Sequence, residues 1–465
     1  MSFALNLPVY FLFAAILYKI CKGGEAGKFY ALALGTLLFP MSGTIIAKPT
    51  VSPNHAFIYT YLFIELIQSV GKRHTNYKRI LYIPLLLIIA STSTTILYTE
   101  GLDPQTFYVA ARDFCESYGY LIAAFIAGTK TKGNDIFEKF YKPTIFLCVF
   151  AVIEVLIKYN IPYTFICSAY PNYDPSFASL DKGAVFIESW RTRAAVTTVH
   201  PTALGTVLST LFAFYLPIWK KDIMPQKKLV FTLITLIIGM YVNGSRTAML
   251  CALLAFAVFF FSKVNIYLKV FLAGVTILSF GTIITLAINH FENSNGSSLD
   301  LRKEQLFFSV LAIQQSPIYG NGVQFTSKYI FGITDDGVRG MARGDDDEDL
   351  GGLESIVFRK LIDYGFLGLA SFFAYLFIFQ FYFLIHRNKS LYAQCGALTT
   401  LSFTVFLILS GTLSNSIVYG YIVLGFCLAR TRMAAIQAQK DDENSDESEA
   451  EDEESQEPKS ITAEY

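Results

Sequence analysis

Charge is what this chain has least of. Asp, Glu, Lys and Arg make up 16% of its 465 residues, against roughly 25% in a soluble domain, which excludes an ordinary water-soluble globule. The seven cysteines show no C-x-x-C spacing, so there is no dithiol or zinc-ribbon framework. Cys21, Cys148, Cys251, Cys395 and Cys427 lie in or beside apolar runs and read as packing residues, while Cys115 and Cys167 remain open as a pair. No internal repeat is visible. The first 22 residues lack an A-x-A-like cleavage site, so the first apolar run is expected to stay as a helix.

What is abundant is apolar sequence: 53% hydrophobic residues and a mean hydropathy of +0.44. Many runs reach the roughly 20 residues that span a bilayer. The expected fold is an all-α polytopic membrane protein with about 12–14 transmembrane helices. They fall near 6–21, 29–47, 53–71, 80–98, 107–128, 141–158, 198–219, 228–242, 246–262, 266–290, 354–385, 391–410 and 412–430. Segments 159–197 and 291–353 are long, turn-rich loops. In the second, LRKEQLFFSVLAIQQ sets Leu301, Phe308, Leu311 and Ala312 at helical spacing, an amphipathic helix for the membrane face.

The chain therefore divides into N-terminal membrane helices (1–158), a core with the two loops (159–430), and a tail (431–465). The tail is acidic and poor in apolar residues, and is expected to be disordered. The formal net charge of zero hides a contrast. Residues 441–465 carry twelve acids and one Lys, and the remainder holds 36 basic and 25 acidic residues. A basic membrane body suits anionic lipids or an anionic substrate; nothing points to nucleic acid.

Lysine marks one set of short loops, around 19–28, 72–79, 130–142, 220–228, 263–269, 387–389 and 430–432. The opposite set is poorer in basic residues and richer in Arg. Positive charge favours the cytoplasmic side, so the N-terminus is expected outside and the C-terminus inside.

Guanidinium groups fork onto phosphate oxygens. Outward arginines thus suggest capture of a phosphate-bearing lipid, unless they merely snorkel to headgroups. The candidates are Arg191 and Arg193 in SWRTRAAVTTVHPTALG, Arg246 in NGSRTA, and Arg302 in SLDLRKEQ. Asn243 and Gly244 predict a tight turn, and Ser245 a cap for the next helix. The positive helix end and Arg246 would then face one anion. His200, before Pro201, would bind a sugar, move a proton or cap a helix. Glu354 would take a proton from an acceptor hydroxyl or only suit a helix N-terminus. The run Asp345–Asp349 would hold a divalent cation or only be solvated. Asp113 and Glu154 lie in apolar stretches, where acids suggest a proton path; Asp113 also has Arg112 beside it as a charge partner.

Taken in order, these motifs resemble the O-antigen ligase/polymerase family of bacterial membrane proteins. The series is RAAVTTVHPTALG from Arg193, SRTA from Ser245, an Arg302-headed segment ending in Pro317, Gly320 and Gly322, and Glu354 with Gly365 and Gly368. The resemblance covers about 190–385. It implies glycosyl transfer on the outer face of the cytoplasmic membrane, from an undecaprenyl-pyrophosphate-linked oligosaccharide to an acceptor hydroxyl, with no metal and no cofactor. Arg246, Arg302 and Glu354 would be catalytic; Arg191, Arg193, His200, Gly320 and Gly322 would bind substrate. Membrane lipids, a chain-length regulator and a flippase are the implied partners. Ligases of the family carry a His near the position where this chain has GGLESIV, which favours a repeat-unit polymerase. A ligase remains the first alternative and a transporter or flippase the second.

Overall fold

The computed structural model describes residues 3–40, 43–44, 51–69, 79–99, 101–131, 135–170, 172–173, 183, 185–188, 191–198, 200–219, 221, 223–263, 298–326, 355–410 and 415–455. Its helices are α1 (Phe3–Lys22), α2 (Glu25–Leu38), α3 (Pro53–Ser69), α4 (Arg79–Thr99), α5 (Pro104–Lys130), α6 (Asp135–Ile157), α7 (Ile161–Cys167), α8 (Pro201–Tyr215), α9 (Gln226–Asn243), α10 (Arg246–Lys263), α11 (Ser298–Ala312), α12 (Ile356–His386), α13 (Leu391–Ser410) and α14 (Asn415–Ser455). Two short antiparallel pairs join them. Strand β1 (Gly43–Thr44) meets β2 (Asn172–Tyr173), and β3 (Phe186–Glu188) meets β4 (Arg191–Arg193). The molecule is an all-α polytopic membrane protein. Among the described residues, seven helices are long and apolar enough to cross a bilayer. The expected span 266–290 lies outside the described residues.

The elements follow local chemistry. Asp103 caps α5, accepting from the Gln105 and Thr106 amides ahead of Pro104 in the first turn. Helix α2 stops at Leu38, short of the expected 47, because Pro40 follows. The central pair is α5 and α14, which share the most extensive helix–helix interface. At its crossing Gly425 faces Leu121 and Ala124, and Gly128 faces Ala429 and Phe426. Small residues are what allow two helices to approach so closely without water to drive them together.

Tertiary bonds show that the helices alternate in direction. At one end, Lys130 pairs with Glu65 and Glu25, Lys28 with Glu25, and Arg430 donates to the Thr131 carbonyl at 2.8 Å. At the other end, Thr197 Oγ1 donates to the Leu37 carbonyl, Tyr120 to the Asn54 carbonyl, and Thr95 to the Tyr319 carbonyl. Lys28, Lys130 and Arg430 thus stand at one end, and Thr197 and Tyr319, from two of the candidate motif segments, at the other.

Two expectations change. The acidic tail is helical as far as Ser455, so disorder from 431 onward is incorrect for that stretch. Residues after Arg432 include Ala, Gln, Lys and Glu, which are good helix formers. They extend a helix already nucleated in the bundle, and Gln437 bonds Asp441 one turn on. Helix α11 forms as expected, but its apolar stripe divides. Leu311 is exposed, with Leu306, Phe307 and Val310, as suits a helix in contact with hydrocarbon. Phe308 and Ala312 instead pack with Ile313 against Leu361 and Ile362, and Gln305 and Ser309 are buried.

Candidate functional site

The first two motifs are bound to each other. Asn243 Nδ2, fully buried, donates to the Ala194 and Pro201 carbonyls, both at 2.7 Å. Gly205 lies flat against Ser245, Ala248 and Asn243. Gly244 ends α9 and Ser245 Oγ accepts from the Ala248 amide, so the expected turn and cap are both present. Arg246 then opens α10 with its side chain exposed. His200 caps α8, its Nδ1 accepting from the Thr202 amide at 3.2 Å, and its ring meets Phe186 edge-on. Of its three readings, capping is the one the geometry displays.

Glu154 anchors the same motif. Its carboxylate accepts from the Ala195 amide at 3.1 Å, the Val196 amide at 2.8 Å and Asn160 Nδ2 at 3.1 Å. Val196 holds φ at 52°, costly for a β-branched residue. The buried acid therefore clamps a strained turn.

The last two motifs form a second splice. Helix α12 breaks at Gly365, where φ is 63°. The break releases the Phe366 and Leu367 amides and the Ile362 and Asp363 carbonyls from their helical partners. The loop after α11 replaces all four. Pro317 and Ile318 carbonyls accept from Phe366 and Leu367, and Asn321 and Gly322 amides donate to Ile362 and Asp363, at 2.9–3.1 Å. At Gly320, φ is 75°, and a Cβ would sit 2.5 Å from both the Asp363 oxygen and the Gly365 nitrogen. Gly320 and Gly322 thus serve backbone docking.

Beside this splice lies a cavity of about 680 Å³, within the size range of ligand sites. Its walls are α4, the outer half of α5, the first turns of α12, and the starts of α3 and α14. Arg112 reaches Asp113 and Glu116, both at 3.2 Å, and Glu116 faces His55 at 2.9 Å. Across from them stand Arg359, Lys360 and Asp363 of α12. The loop closes one side: Gln324 Nε2 donates to Asp113 at 2.6 Å, and the Thr326 amide and hydroxyl to Asp363 at 2.7 and 2.6 Å. Gln324 sits at φ 58°, a strained conformation of the kind that clusters at functional sites. Tyr118 forms part of the wall, packed on Tyr421 and Tyr375.

Arg193 is half-buried in β4 opposite Phe186, and Arg191 pairs with Glu188 across the hairpin through its backbone. Arg302 lies in α11; Glu354 and the run Asp345–Asp349 lie outside the described residues. All seven cysteines carry free thiols, Cys115 and Cys167 included. The cavity cations of α12 escaped the sequence reading, although R-K-x-x-D in the first turns of an apolar helix is a visible anomaly. No family model and no curated protein matches this chain.

Proposed function

We propose that this protein is a glycosyltransferase of the repeat-unit polymerase type, working on the outer face of the bacterial cytoplasmic membrane with its N-terminus outside and its C-terminus inside. Its donor is a glycan on undecaprenyl pyrophosphate, and its acceptor is a second lipid-linked glycan. The acceptor hydroxyl attacks the anomeric carbon. The bond to pyrophosphate breaks, the carrier leaves with the electron pair, and Glu354 takes the hydroxyl proton. Arg193, Arg246 and Arg302 offset the charge that develops on the leaving group.

One observation carries this reading. Described parts of the four motifs that resemble the family interlock in two pairs: Ala194, Pro201 and Gly205 with Asn243 and Ser245, and Pro317 to Gly322 with the break at Gly365. Alanine at Arg246 or at Arg302, in variants expressed normally, is expected to lower polymer formation from a lipid-pyrophosphate oligosaccharide about a hundredfold or more. Full-length polymer from both variants overturns the assignment.

A further inference from the structure

The geometry points to the cavity between α4, α5 and α12 as a binding site for an anionic saccharide, a sugar ring that bears a carboxylate or a phosphate. Each of the three carboxylates inside it has a protein partner. Asp113 gives one oxygen to Arg112 and the other to Gln324. Glu116 holds His55 and Arg112 through Oε1, and Asp363 holds the Thr326 amide and hydroxyl through Oδ1. Their work is to tie the loop over the cavity and to orient cations.

One cation, Lys360, is in a different position. Lys360 lines the cavity with its ammonium 4.5 Å from the centre of the Tyr364 ring. Among the described residues, no carboxylate stands at salt-bridge distance from it; Asp363 and Asp113 act on it only from farther off. Arg359, one residue earlier, lines the same space. Positive charge at this depth in a bundle of apolar helices is costly, and an anion in the cavity would offset that cost. Around the cations, hydroxyls and aromatic rings share the wall, Ser93 and Ser117 with Phe107 and Tyr118. That combination suits a hydroxyl-bearing ring with one charged substituent, rather than an inorganic ion or a lipid tail. The saccharide body rests on the polymerase reading; the anion does not.

The test is calorimetric titration of the full chain in lipid nanodiscs. The probes are a glucuronate-containing disaccharide, its neutral methyl ester, glucose 1-phosphate and inorganic phosphate. At least one anionic sugar should bind, and whichever binds tighter identifies the charged group. The ester should bind at least about tenfold weaker. Lys360→Gln should weaken binding about tenfold to a hundredfold, and Lys360→Arg should restore most of it. Ala111 lines the cavity and is exposed, so Ala111→Phe should block binding without disturbing packing. Binding of neither anionic sugar, measurable and equal binding of acid and ester, or no effect of Ala111→Phe, overturns the site. Inorganic phosphate binding as tightly as both sugars overturns the saccharide. No donor lipid is present, so the two readings fail separately. Polymer made by Arg246→Ala and Arg302→Ala, with sugar binding that Lys360→Gln abolishes, removes the polymerase and leaves the cavity.

Discussion

Glu154 shows how one residue can support a motif without touching a substrate. Its carboxylate satisfies two successive amides of a turn whose Val196 would not hold that conformation unaided. Glu154→Ala leaves three buried donors unmatched, which should cost about 3 kcal/mol or more. Glu154→Gln keeps one carbonyl oxygen and should cost about a third of that. Thermal unfolding in detergent distinguishes the two. The sequence placed an acid in an apolar helix and suggested a proton path. It was silent about the amides, because they belong to a turn more than 40 positions away and carry no side-chain signal. Arg112 and Asp113 were legible as a charge pair because they are neighbours, and they do bond at 3.2 Å. Arg359 and Lys360 were not, because the apolar residues around them in α12 dominate any windowed reading of that helix.

At the scale of elements, the junction between α12 and the loop after α11 is a splice in which each part completes the other. The spacing of Pro317, Gly320 and Gly322 was visible in the sequence, but its purpose was not. The loop matters through backbone groups, and only the break at Gly365 makes those groups necessary. Gly365→Ala puts a side chain against the Ile318 carbonyl and disfavours φ of 63°. It should drive α12 toward a continuous helix and expel the loop, taking Gln324 and Thr326 away from Asp113 and Asp363. Cys115 lines the cavity and is half-buried, so it reports the change. In a Cys21→Ser background, its rate of labelling by a water-soluble maleimide should rise several-fold. A second test concerns the α5–α14 crossing. Gly425→Ala would drive a methyl group into the Leu121 carbonyl, and the resulting separation should cost about 1–3 kcal/mol in thermal unfolding.

Over the whole molecule, the outer face is apolar as well as the core. Ile234, Ile237 and Tyr241 make an exposed apolar row on α9, and Phe377 and Phe381 do the same on α12, while Leu236 and Phe379 are buried. An apolar diazirine partitioned into the bilayer should label the exposed set and spare Leu236 and Phe379, as read by mass spectrometry. Hydropathy revealed the helices because the bilayer imposes a single length and polarity on every span. It did not reveal that the apolar stripe of α11 divides, with Leu311 exposed and Phe308 and Ala312 packed against Leu361 and Ile362.

Helix α14 runs without a break from Asn415 to Ser455. Ile417 and Val418 stand in the cavity wall at its start, and Asp441 lies roughly 35 Å along the same axis. The cavity and the acidic tail are therefore two ends of one rod. A tilt imposed on the charged end would reach the wall of the cavity as a displacement, with the tail as its lever arm.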